Sequence, residues 1–492
     1  MAPWCGWYLD DGAPYRTGIG DGSMRADLTF SELHLGVLRA ELCRSDDQEH
    51  AAYVLFGLSR IQEDPFSRQP RLRLMVKDVL PVAEEEIKSV DHQHISWSTK
   101  RFVDLLSRAE REGLQIGIAH SHPRGPNCFS SQDDRNEAEL ARLAQNRNGE
   151  TAIMPSLLFA NGELVAGRVW TSPDSVVDLE YARTIGGNWQ TIFFAADHNV
   201  VSPTLARQEL ALGAGFNRLM GHMRIGVVGA GGTGSPLLQQ LPRMGAGHIG
   251  IFDPDHVEHS NLNRLYGATW DDAERKVKKV EVAKREIERM GLGTQVRTYD
   301  SWIGSGECRD ALKSMDLIFG CTDDHDGRLL LNRLAYYYLI PVIDIGLALR
   351  VTERFGISCL EADGRATVLE PGSSCLVCRR IVDAGAAAEE ALRRTDPEEY
   401  ERRKAEAYVR GENNPSPAVI SFTTSVATMA VEEMIQRMNQ FRGEDGSIAN
   451  RIRKFNLVED FRPGAKQEPC RICASDRIHG LGDVQPFLGR AG

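Results

Sequence analysis

The sequence predicts an α/β protein with an N-terminal α+β domain followed by a C-terminal domain whose sheet is mostly parallel. The chain has 492 residues, a length that suits two or three domains rather than one. Helix and strand patterns are mixed over residues 25–175, and this stretch closes with a hairpin signal. From residue 203 onward, apolar strands alternate with helices, as in parallel sheets that are covered on both faces.

Residues 25–175 contain the predicted elements of the first domain. Asn161-Gly162 separates two apolar strands, and because both turn positions favour positive φ, this pair predicts a β-hairpin. We expect residues 1–24 to be an extension and residues 176–202 to be a linker. Before the hairpin, the predicted elements are a helix from about Thr29, strands over 51–59 and 71–80, an amphipathic helix from Ser98 to Gly113, and a strand that runs into His120.

The second domain is expected to occupy residues 203–492. It begins with a helix in ARQELALGAGFNRLM, and a charged stretch over 385–406 is expected to form an exposed helix. Its predicted strands cover 223–228, 248–253, 316–321 and 340–346.

Composition and charge exclude several classes of protein. Hydrophobic residues make up 42% and charged residues 26%, which is ordinary for a globular chain and unlike a disordered one. The formal net charge of −11 disfavours binding to nucleic acids and to anionic membranes. Because no apolar stretch is long enough to span a bilayer, and the first residues lack a basic start followed by an apolar run, we expect a cytoplasmic protein.

A group of metal-binding residue types follows the strand that ends near residue 120. His120 and His122 are two residues apart, so both imidazoles lie on one side of an extended chain, and Asp133 can join them from the first turn of the next helix. Two imidazoles and one carboxylate form a typical catalytic zinc set, which leaves a fourth position for water. Ser130 can donate a hydrogen bond to a reaction oxyanion or cap the helix.

The run H-S-H-P, followed after six residues by S-x-x-D, resembles the JAMM/MPN family of zinc isopeptidases, which cleave ubiquitin-like proteins from their conjugates. The resemblance covers about residues 25–175, and it implies a JAB/MPN-type fold with a catalytic zinc ion on the two histidines and the aspartate. It also implies a catalytic glutamate just before an apolar strand that ends in glycine. Glu49 occupies this place, with a spacing to the glycine one residue longer than is usual in the family.

A glycine-rich loop opens the second domain. Asp253 lies at the end of the strand after it, where an acidic side chain commonly binds ribose hydroxyls. These features alone also fit a nicotinamide-dependent oxidoreductase. The glycines follow a strand and precede a helix, so the backbone N–H groups of the loop can cradle phosphates; they are Gly229, Gly231, Gly232 and Gly234.

The residues beyond this loop are more specific. Three segments resemble the sequence motifs of the ubiquitin-activating enzyme superfamily, which includes ThiF- and MoeB-like adenylyltransferases with a Rossmann-like sheet. The segments are DPDHVEHSNLNRLYG, KKVEVAK and CTD. The resemblance covers about residues 203–475. It implies ATP and Mg²⁺ as cofactors, and attack by the C-terminal carboxylate of a ubiquitin-like protein on the α-phosphate to give an acyl-adenylate.

The resemblance also implies roles for individual residues. Lys276 and Lys278 are alternatives to Lys279 as the phosphate-binding lysine. Arg207, in an Arg-Gln pair, matches an arginine that enters the neighbouring subunit's active site, so a homodimer is implied. The remaining implied roles are ribose binding by Asp253, phosphate binding by Arg264 and Lys279, Mg²⁺ binding by Asp323, and shaping of the pocket by Asn261 and the four glycines.

Ten cysteines are too few for a disulfide framework, and two C-x-x-C pairs stand out. The pairs are so far apart in sequence that their spacing alone does not decide whether they share one zinc site. The resemblance to ThiF- and MoeB-like proteins implies that they hold one structural zinc ion with four thiolates and no open position. The four residues are Cys375, Cys378, Cys470 and Cys473.

The sequence departs from many activating enzymes in the segment where they carry a cysteine that receives the acyl group. Residues 379–469 contain no cysteine. Three routes stay open: direct transfer to a nucleophile of a partner such as a conjugating enzyme, an oxyester on a hydroxyl, or a cysteine from another segment. Ser416 is the hydroxyl to test, and a simple turn serine between two prolines is its alternative interpretation.

Together these observations predict a bifunctional enzyme of a bacterial ubiquitin-like conjugation system. Its first domain would process or deconjugate the modifier, and its second would activate the modifier's C-terminus. One alternative is a sulfur-carrier system, in which the adenylate receives sulfur. Another is a scaffold that binds a ubiquitin-like protein without turnover, and a nicotinamide oxidoreductase is the third.

Overall fold

Two large sheets, one in each half of the chain, organise the protein. The computed structural model describes residues 24–90, 95–195, 202–354, 357–405, 418–465, 470–474 and 476–484, without the side chains of 353, 354, 357–359 and 405. Within these residues, one sheet has nine strands, the other has eight, and a short ribbon has two. The helices of this part of the chain include none long and apolar enough to cross a membrane.

The N-terminal sheet and its helices extend from residue 25 to residue 193. In chain order the elements are β1 (Arg25–Ser31), α1 (Glu32–Leu42), β2 (Ala51–Ile61), β3 (Arg71–Pro81), β4 (Ile87–Val90), β5 (Ile95–Trp97), α2 (Lys100–Glu112), β6 (Gln115–His122), α3 (Ser131–Asn148), β7 (Met154–Ala160), β8 (Glu163–Ser172), β9 (Ser175–Asp178), β10 (Tyr181–Ile185) and β11 (Gln190–Phe193).

The nine strands lie in the order β11-β10-β1-β3-β2-β6-β7-β8-β9. Alternate residues of β2 enter two separate cores, because successive side chains of a strand point to opposite faces. Tyr53 and Leu55 pack in the core that includes α2, whereas Val54 and Phe56 pack in the core that includes α1. The sheet is thus covered on both faces, with β6 near its middle.

Two local predictions in this domain are confirmed in detail. Asn161 and Gly162 have φ values of 52° and 82°, and they join β7 to β8 with Ala160 opposite Glu163. Gly113 ends α2 in the left-handed conformation, with φ of 68°. The helix expected from Thr29 begins later, at Glu32, because Thr29 belongs to β1 and the Ser31 side chain caps the helix.

The linker prediction for residues 176–202 is wrong over its first part. This segment contains most of β9 and all of β10 and β11, and β10 pairs in parallel with β1, placing Ala182 beside Leu28. The pairing partner is distant in sequence, so local periodicity could not reveal it. The N-terminal domain therefore extends to Phe193, beyond the expected boundary at residue 175.

The C-terminal domain extends over the remaining elements. In chain order they are α4 (Ala206–His222), β12 (Arg224–Val228), α5 (Gly234–Gln240), β13 (His248–Phe252), α6 (Trp270–Glu274), α7 (Lys279–Met290), β14 (Gln295–Tyr299), α8 (Gly306–Lys313), β15 (Leu317–Gly320), α9 (His325–Tyr337), β16 (Val342–Arg354), β17 (Ile357–Leu369), α10 (Ala384–Thr395), α11 (Pro397–Ala405), α12 (Ile420–Asn439), β18 (Asn450–Lys454) and β19 (Glu459–Phe461).

The C-terminal sheet has the order β14-β13-β12-β15-β16-β17-β18-β19. The five strands from β14 to β16 run parallel, and the last three are added antiparallel, which confirms the predicted mostly parallel sheet. The carboxyl ends of β12, β13 and β15 meet at one edge. In parallel sheets of this type, ligands bind at that edge.

The two domains meet through buried charges at the opposite, amino edge of the C-terminal sheet. Arg73 of β3 donates to the carboxylate of Asp316, just before β15, at 2.9 Å, and Arg183 of β10 reaches the same carboxylate. Asp27 of β1 accepts from Arg73 at 3.0 Å. All four side chains are at most 8% exposed, so the contact is an integral part of the fold.

A C-terminal segment, residues 476–484, adds a second connection between the domains. The backbone N–H of Asp483 donates to the carbonyl of Leu58 on β2, and Gly482 forms a β-bridge with the same residue. The Asp483 carboxylate accepts from Lys313 of α8 at 2.9 Å and from the Tyr338 hydroxyl at 3.0 Å. This segment thereby contacts both domains at once.

Candidate active sites

His120 and His122 occupy the end of β6 and face the first turn of α3. The Nε2 atoms of His120 and His122 lie 3.4 and 3.5 Å from the two carboxylate oxygens of Asp133. Glu49 lies two residues before the start of β2, which pairs with β6 so that Ala51 lies beside His120. The Glu49 carboxylate is consequently 3.8 Å from His122 Nε2. The fold thus brings Glu49, which the family resemblance implied, next to the two histidines and the aspartate that the residue pattern selected.

Hydrogen bonds around this cluster fix the orientation of its side chains. Ser130 caps α3: its Oγ accepts from the Asp133 N–H at 3.2 Å and donates to the Asp133 carboxylate at 2.7 Å. His122 Nδ1 lies 3.1 Å from the carbonyl oxygen of Pro126, to which it can donate. In the neutral imidazole, this bond leaves Nε2 as the nitrogen without a proton, and Nε2 points at Asp133.

The donor set fits a zinc ion. Among the described residues, His120 Nε2 is buried and has no hydrogen-bond partner, although a polar atom at such a site normally has one. His120, His122 and Asp133 each offer one ligand atom, and the three atoms lie within 4.8 Å of one another. Neutral imidazole nitrogens and a carboxylate are typical ligands of catalytic zinc, which takes water in its fourth position.

Charge interactions within the cluster favour ionisation of Asp133. Burial opposes that charge, but the facing imidazoles of His120 and His122 hold the pKa of the Asp133 carboxyl well below its usual range. Burial likewise disfavours protonation of His122, but the adjacent Asp133 carboxylate outweighs it and raises the pKa of His122. A carboxylate that stays ionised is available as a metal ligand.

The glycine-rich loop connects β12 to α5 at the carboxyl edge of the C-terminal sheet. Gly229 has φ of 93°, and a Cβ there would lie 2.7 Å from the Cys321 carbonyl oxygen. A Cβ on Gly234 would lie 1.8 Å from the Gly229 carbonyl oxygen. Side chains at these positions would disrupt the loop, so glycine keeps its backbone available to a ligand.

Asp253 follows β13 and lies directly beside this loop. Its carboxylate accepts from the Ala230 N–H at 2.6 Å and from the Asp255 N–H at 2.8 Å. Burial raises the pKa of Asp253, although the nearby Lys279 ammonium opposes the shift. The carboxylate therefore lies beside the glycine loop at the carboxyl edge of the sheet, bonded to two backbone N–H groups.

Of the three candidate lysines, Lys279 shares a cavity with a residue of the glycine-rich loop. It begins α7, its Nζ pairs with the Asp255 carboxylate at 2.8 Å, and it lines a small cavity together with Ala230 and Ser235. Lys278 instead donates to the carbonyl of Pro254 at 2.8 Å, and Lys276 is exposed. These contacts favour Lys279 over the other two.

The other residues predicted for the nucleotide site follow β13 and β15 in the chain. The side-chain stem of Arg264 packs over Gly232, whose added Cβ would lie 3.0 Å from Arg264 Cδ. Asn261 accepts from the Glu258 N–H at 3.1 Å and stabilises a short helical turn. Asp323 is exposed shortly after β15, at the same edge of the sheet.

Sequence reasoning missed Asp324, the neighbour of Asp323. Its carboxylate caps α9 by accepting from the Gly327 N–H at 2.7 Å, and it also contacts Thr322 and the Trp302 indole. An Asp before a helix is a typical cap, so the pattern was available in the sequence. Asp324 is therefore engaged structurally, which leaves Asp323 as the exposed carboxylate of the pair.

The two C-x-x-C pairs come together in space. Cys375 Sγ lies 3.8 Å from Cys470 Sγ, and Cys378 Sγ lies 3.5 Å from Cys473 Sγ. All four sulfurs lie within 4.8 Å of one another. The hydrogen bond with the Cys473 thiol lowers the pKa of Cys375, which favours a thiolate at this position. The cluster fits a closed four-thiolate zinc site, which has no open position for catalysis.

Two further predictions, and two thiols that bear on the route of acyl transfer, concern residues outside these clusters. Arg207 is exposed on α4, a helix that bends at Gly213. Ser416 lies outside the described residues. Burial raises the pKa of Cys308 to about 12 and also raises that of Cys321, so neither thiol is ionised at neutral pH.

Comparison with protein families assigns both halves of the chain. The model of the ThiF family matches residues 205–472. A second model, described as prokaryotic homologs of the JAB domain, matches residues 31–172. The two matched ranges correspond to the C-terminal and N-terminal sheets.

Curated relatives resemble part of the chain. The adenylyltransferase and sulfurtransferase UBA4 of Meyerozyma guilliermondii is 34% identical over 131 residues, which are 27% of this chain and 30% of the relative. The SAMP-activating enzyme E1 of Haloferax volcanii is 27% identical over 164 residues, 33% of this chain and 55% of the relative. The chain therefore spans about a third to a half of the length of these relatives.

Among solved structures, the MccB protein of E. coli crystallised with ATP is similar to this chain. It is 16% identical, with a TM-score of 0.42, and the similarity covers 56% of this chain and 75% of MccB.

Proposed function

Because the chain belongs to the ThiF family of adenylyltransferases and carries a JAB domain ahead of that domain, we propose that it acts on a ubiquitin-like modifier at two sites. The JAB domain would cleave the modifier from a precursor or conjugate, and the ThiF domain would adenylate the C-terminus that this exposes. One observation carries the proposal: Glu49 lies within 4 Å of the His120, His122 and Asp133 cluster. The names of the relatives, which include a SAMP-activating enzyme and a ubiquitin-like modifier-activating enzyme, support the choice of substrate.

In the proposed isopeptidase reaction, each residue of the first site has a separate task. His120, His122 and Asp133 would hold zinc, which supplies Lewis acidity and lowers the pKa of water when bound. Glu49 would take the proton from the attacking water and return it to the leaving amine. Ser130 directs its hydroxyl proton to Asp133, so its primary task is to orient that ligand, and a role at the oxyanion would require this bond to open.

In the proposed adenylation, the modifier carboxylate attacks the α-phosphate of ATP, and the bond to the departing pyrophosphate breaks. Asp253 would bind the ribose hydroxyls, and the N–H groups of the glycine loop would face the phosphates. Arg264 and Lys279 would neutralise phosphate charge, and Asp323 would hold Mg²⁺. Little proton transfer is needed, because the carboxylate is already ionised, so positioning and charge neutralisation do most of the work.

The test of the adenylating activity uses the His122→Ala protein, so that cleavage cannot remove the product. It is mixed with Mg·ATP and a ubiquitin-like protein that ends in a free glycine, and intact masses and pyrophosphate release are measured. We expect an AMP adduct on the modifier, or an ester on this chain that disappears with Ser416→Ala. If no adduct forms and no pyrophosphate is released with any partner tested, the adenylation half of the proposal is wrong.

The isopeptidase activity needs its own substrate. A fusion of the same modifier to a short C-terminal extension is incubated with the zinc-loaded wild-type protein and, in parallel, with Glu49→Gln. We expect the extension to be released by the wild type alone. Equal cleavage by both proteins would show that Glu49 is not the base, and cleavage by neither would reject the isopeptidase half.

A homodimer is part of the proposal, since Arg207 would complete the partner subunit's nucleotide site. Two variants test this arrangement: Arg207→Ala lacks the donated arginine, and Asp323→Ala lacks the proposed Mg²⁺ ligand. Each alone should be inactive in pyrophosphate release, whereas mixed dimers contain one intact composite site. Recovery of activity on mixing supports the shared site, and no recovery from dimers shown to exchange subunits contradicts it.

The sulfur-carrier reaction is a second candidate, favoured by the relative named adenylyltransferase and sulfurtransferase. It would use the same adenylate and differ only in the acceptor. Addition of a sulfide source to the adenylation reaction distinguishes the sulfur-carrier reaction from modifier conjugation. A modifier whose terminal carboxylate has exchanged one oxygen for sulfur, formed through this chain, would select the sulfur-carrier reaction.

A further inference from the structure

A buried cluster of charged and polar side chains lies behind the helix that carries Asp133. Glu137 is one helical turn beyond Asp133 on α3 and is 1% exposed. Its carboxylate accepts hydrogen bonds from Ser156 Oγ at 2.6 Å, from Arg168 Nε at 2.7 Å and from Trp170 Nε1 at 2.7 Å. Ser156 belongs to β7 and the other two donors to β8, so these bonds tie α3 to the sheet.

Arg168 makes further contacts on both sides of the turn that begins α3. Its Nη1 donates to Asp134, the neighbour of Asp133, at 2.6 Å. Its guanidinium also lies over the Phe129 ring, with Cζ 3.8 Å from the ring centroid. Phe129 directly precedes the cap residue Ser130, and its ring lies 6.0 Å from that of His120.

Through these contacts, one buried cation reaches the surroundings of two residues of the metal-binding cluster. It reaches His120 through Phe129, and Asp133 through its neighbour Asp134. We propose that Arg168 is a positioning residue of the zinc site, which holds the first turn of α3 and the Phe129 ring so that Asp133 and His120 face each other. The inference deepens the proposed function, since it rests on the zinc-binding role of this cluster.

The chemistry of arginine suits this task better than that of lysine. A guanidinium is flat and carries donors in a fixed fork, so it can bind two carboxylates and stack on an aromatic ring at the same time. A lysine ammonium keeps the charge but cannot stack, and it bonds as a point charge. Removal of the charge would leave Glu137 buried without its cation, which is strongly destabilising in general.

The test compares zinc affinity among variants of the full chain. Arg168→Lys keeps the charge, Arg168→Met keeps much of the side-chain volume, and Arg142→Met is the matched control because Arg142 pairs with Glu139 on an exposed face of α3. Zinc is competed with a chromophoric chelator, and a His122→Ala protein gives the contribution of the four-cysteine site. We expect both Arg168 variants to bind zinc at the His120 cluster about 10- to 100-fold more weakly, as for other residues that orient metal ligands, with Arg142→Met unchanged.

A spectroscopic readout separates positioning from a merely structural role. Cobalt replaces zinc in each protein, and the bands of the histidine–carboxylate site are read apart from the sulfur charge-transfer bands of the four-cysteine site. We expect shifted bands at the first site in Arg168→Lys, with the cysteine bands and the unfolding temperature of the metal-free protein close to wild type. If Arg168→Met does not fold, Arg168→Lys and Glu137→Gln give the same comparison.

Unchanged zinc affinity and unchanged cobalt bands in Arg168→Lys and in a folded second variant would overturn the inference. A wild-type chain that takes up zinc at the cysteine site alone would overturn it too, because no metal site would exist to be positioned. If the wild type binds zinc at both sites yet cleaves no modifier fusion, the proposed isopeptidase function is wrong, and the Arg168 comparison still decides the positioning role.

Discussion

Arg73 and Asp316 form a buried ion pair across the boundary between the two domains, with 2.9 Å between Nη2 and the carboxylate oxygen. The Arg73 side chain is fully buried and that of Asp316 is 5% exposed. Asp316 also accepts from the Arg224 N–H at 2.9 Å, so one carboxylate serves residues of both domains. The JAB and ThiF domains are therefore connected by charges that solvent does not screen.

Loss of one partner of this pair should destabilise the protein strongly. Asp316→Asn removes the negative charge and leaves Arg73 and Arg183 buried without it, a change that generally costs about 3–5 kcal/mol. Calorimetry should show a lower unfolding temperature and a separation of the two domain transitions. Arg68→Met is the control, since Arg68 pairs with Glu63 at an exposed site. A variant Asp316→Asn as stable as this control would show that the pair is dispensable.

The Asp316 carboxylate should make the free energy of unfolding depend on pH in the acidic range. Burial raises the pKa of Asp316, but Arg183, Arg73 and Arg224 outweigh burial and lower it to about 2. Because the folded-state pKa lies below the unfolded value near 4, the stabilisation is complete above about pH 4 and is lost as the pH falls to about 2, a difference of roughly 2 kcal/mol. Denaturant unfolding of wild type and Asp316→Asn across this range measures it. Parallel pH profiles would contradict the assignment, because the variant lacks the titrating group.

Glu49 and His122 should separate catalysis from metal binding. Glu49→Gln keeps the size of the side chain and removes the base, so cleavage should fall at least 10²-fold while zinc content stays the same. His122→Ala should lose both zinc and cleavage at this site. Zinc analysis, fusion cleavage and pyrophosphate release are measured on the same samples, and both variants should retain adenylation. A fall in adenylation comparable to the loss of cleavage would contradict the independence of the two sites.

The predictable and unpredictable parts of the first site differ in how far apart their residues lie in the chain. His120, His122, Ser130 and Asp133 fall within one strand–loop–helix segment, so their spacing alone brought them together correctly. The Glu137–Arg168 pair could not be found in this way, because Arg168 is on a later strand and its burial depends on sheet pairing. The four cysteines show the same limit. Their separation in sequence did not decide whether they form one site, and the fold brings their sulfurs within 4.8 Å of one another.

The four-cysteine site should control how the C-terminal segment holds the domains together. Cys473 lies just before residues 476–484, whose Asp483 contacts Leu58 and Lys313. Cys375→Ser should therefore remove one zinc equivalent and expose this segment, which hydrogen exchange of its backbone would report. Cys43→Ser, outside the cluster, serves as the control. Protection of residues 476–484 that survives loss of this zinc would show that the segment docks without it.

The positions of the two sites predict that the modifier is released between the two reactions. Glu49 lies just before the start of β2, whereas Leu58, near the other end of this strand, contacts the domain interface. In the C-terminal domain, Arg224 marks the interface end of β12, and the glycine loop follows the other end of the strand. At about 3.3 Å per strand residue, the nine residues from Glu49 to Leu58 span roughly 30 Å, and the five residues from Arg224 to Gly229 span about 15 Å. A modifier tail of about six residues, which spans about 20 Å, would be too short to pass directly from one site to the other.

Isotope dilution measures this release. A labelled precursor fusion is given to the wild-type enzyme with Mg·ATP and an excess of unlabelled mature modifier. If the cleaved modifier leaves before adenylation, the labelled share of the first adenylate equals the labelled share of free modifier in solution. The His122→Ala protein, which should cleave nothing, sets the background. A labelled share above that dilution would mean that the modifier is passed between the sites without release, and it would contradict the prediction drawn from their placement.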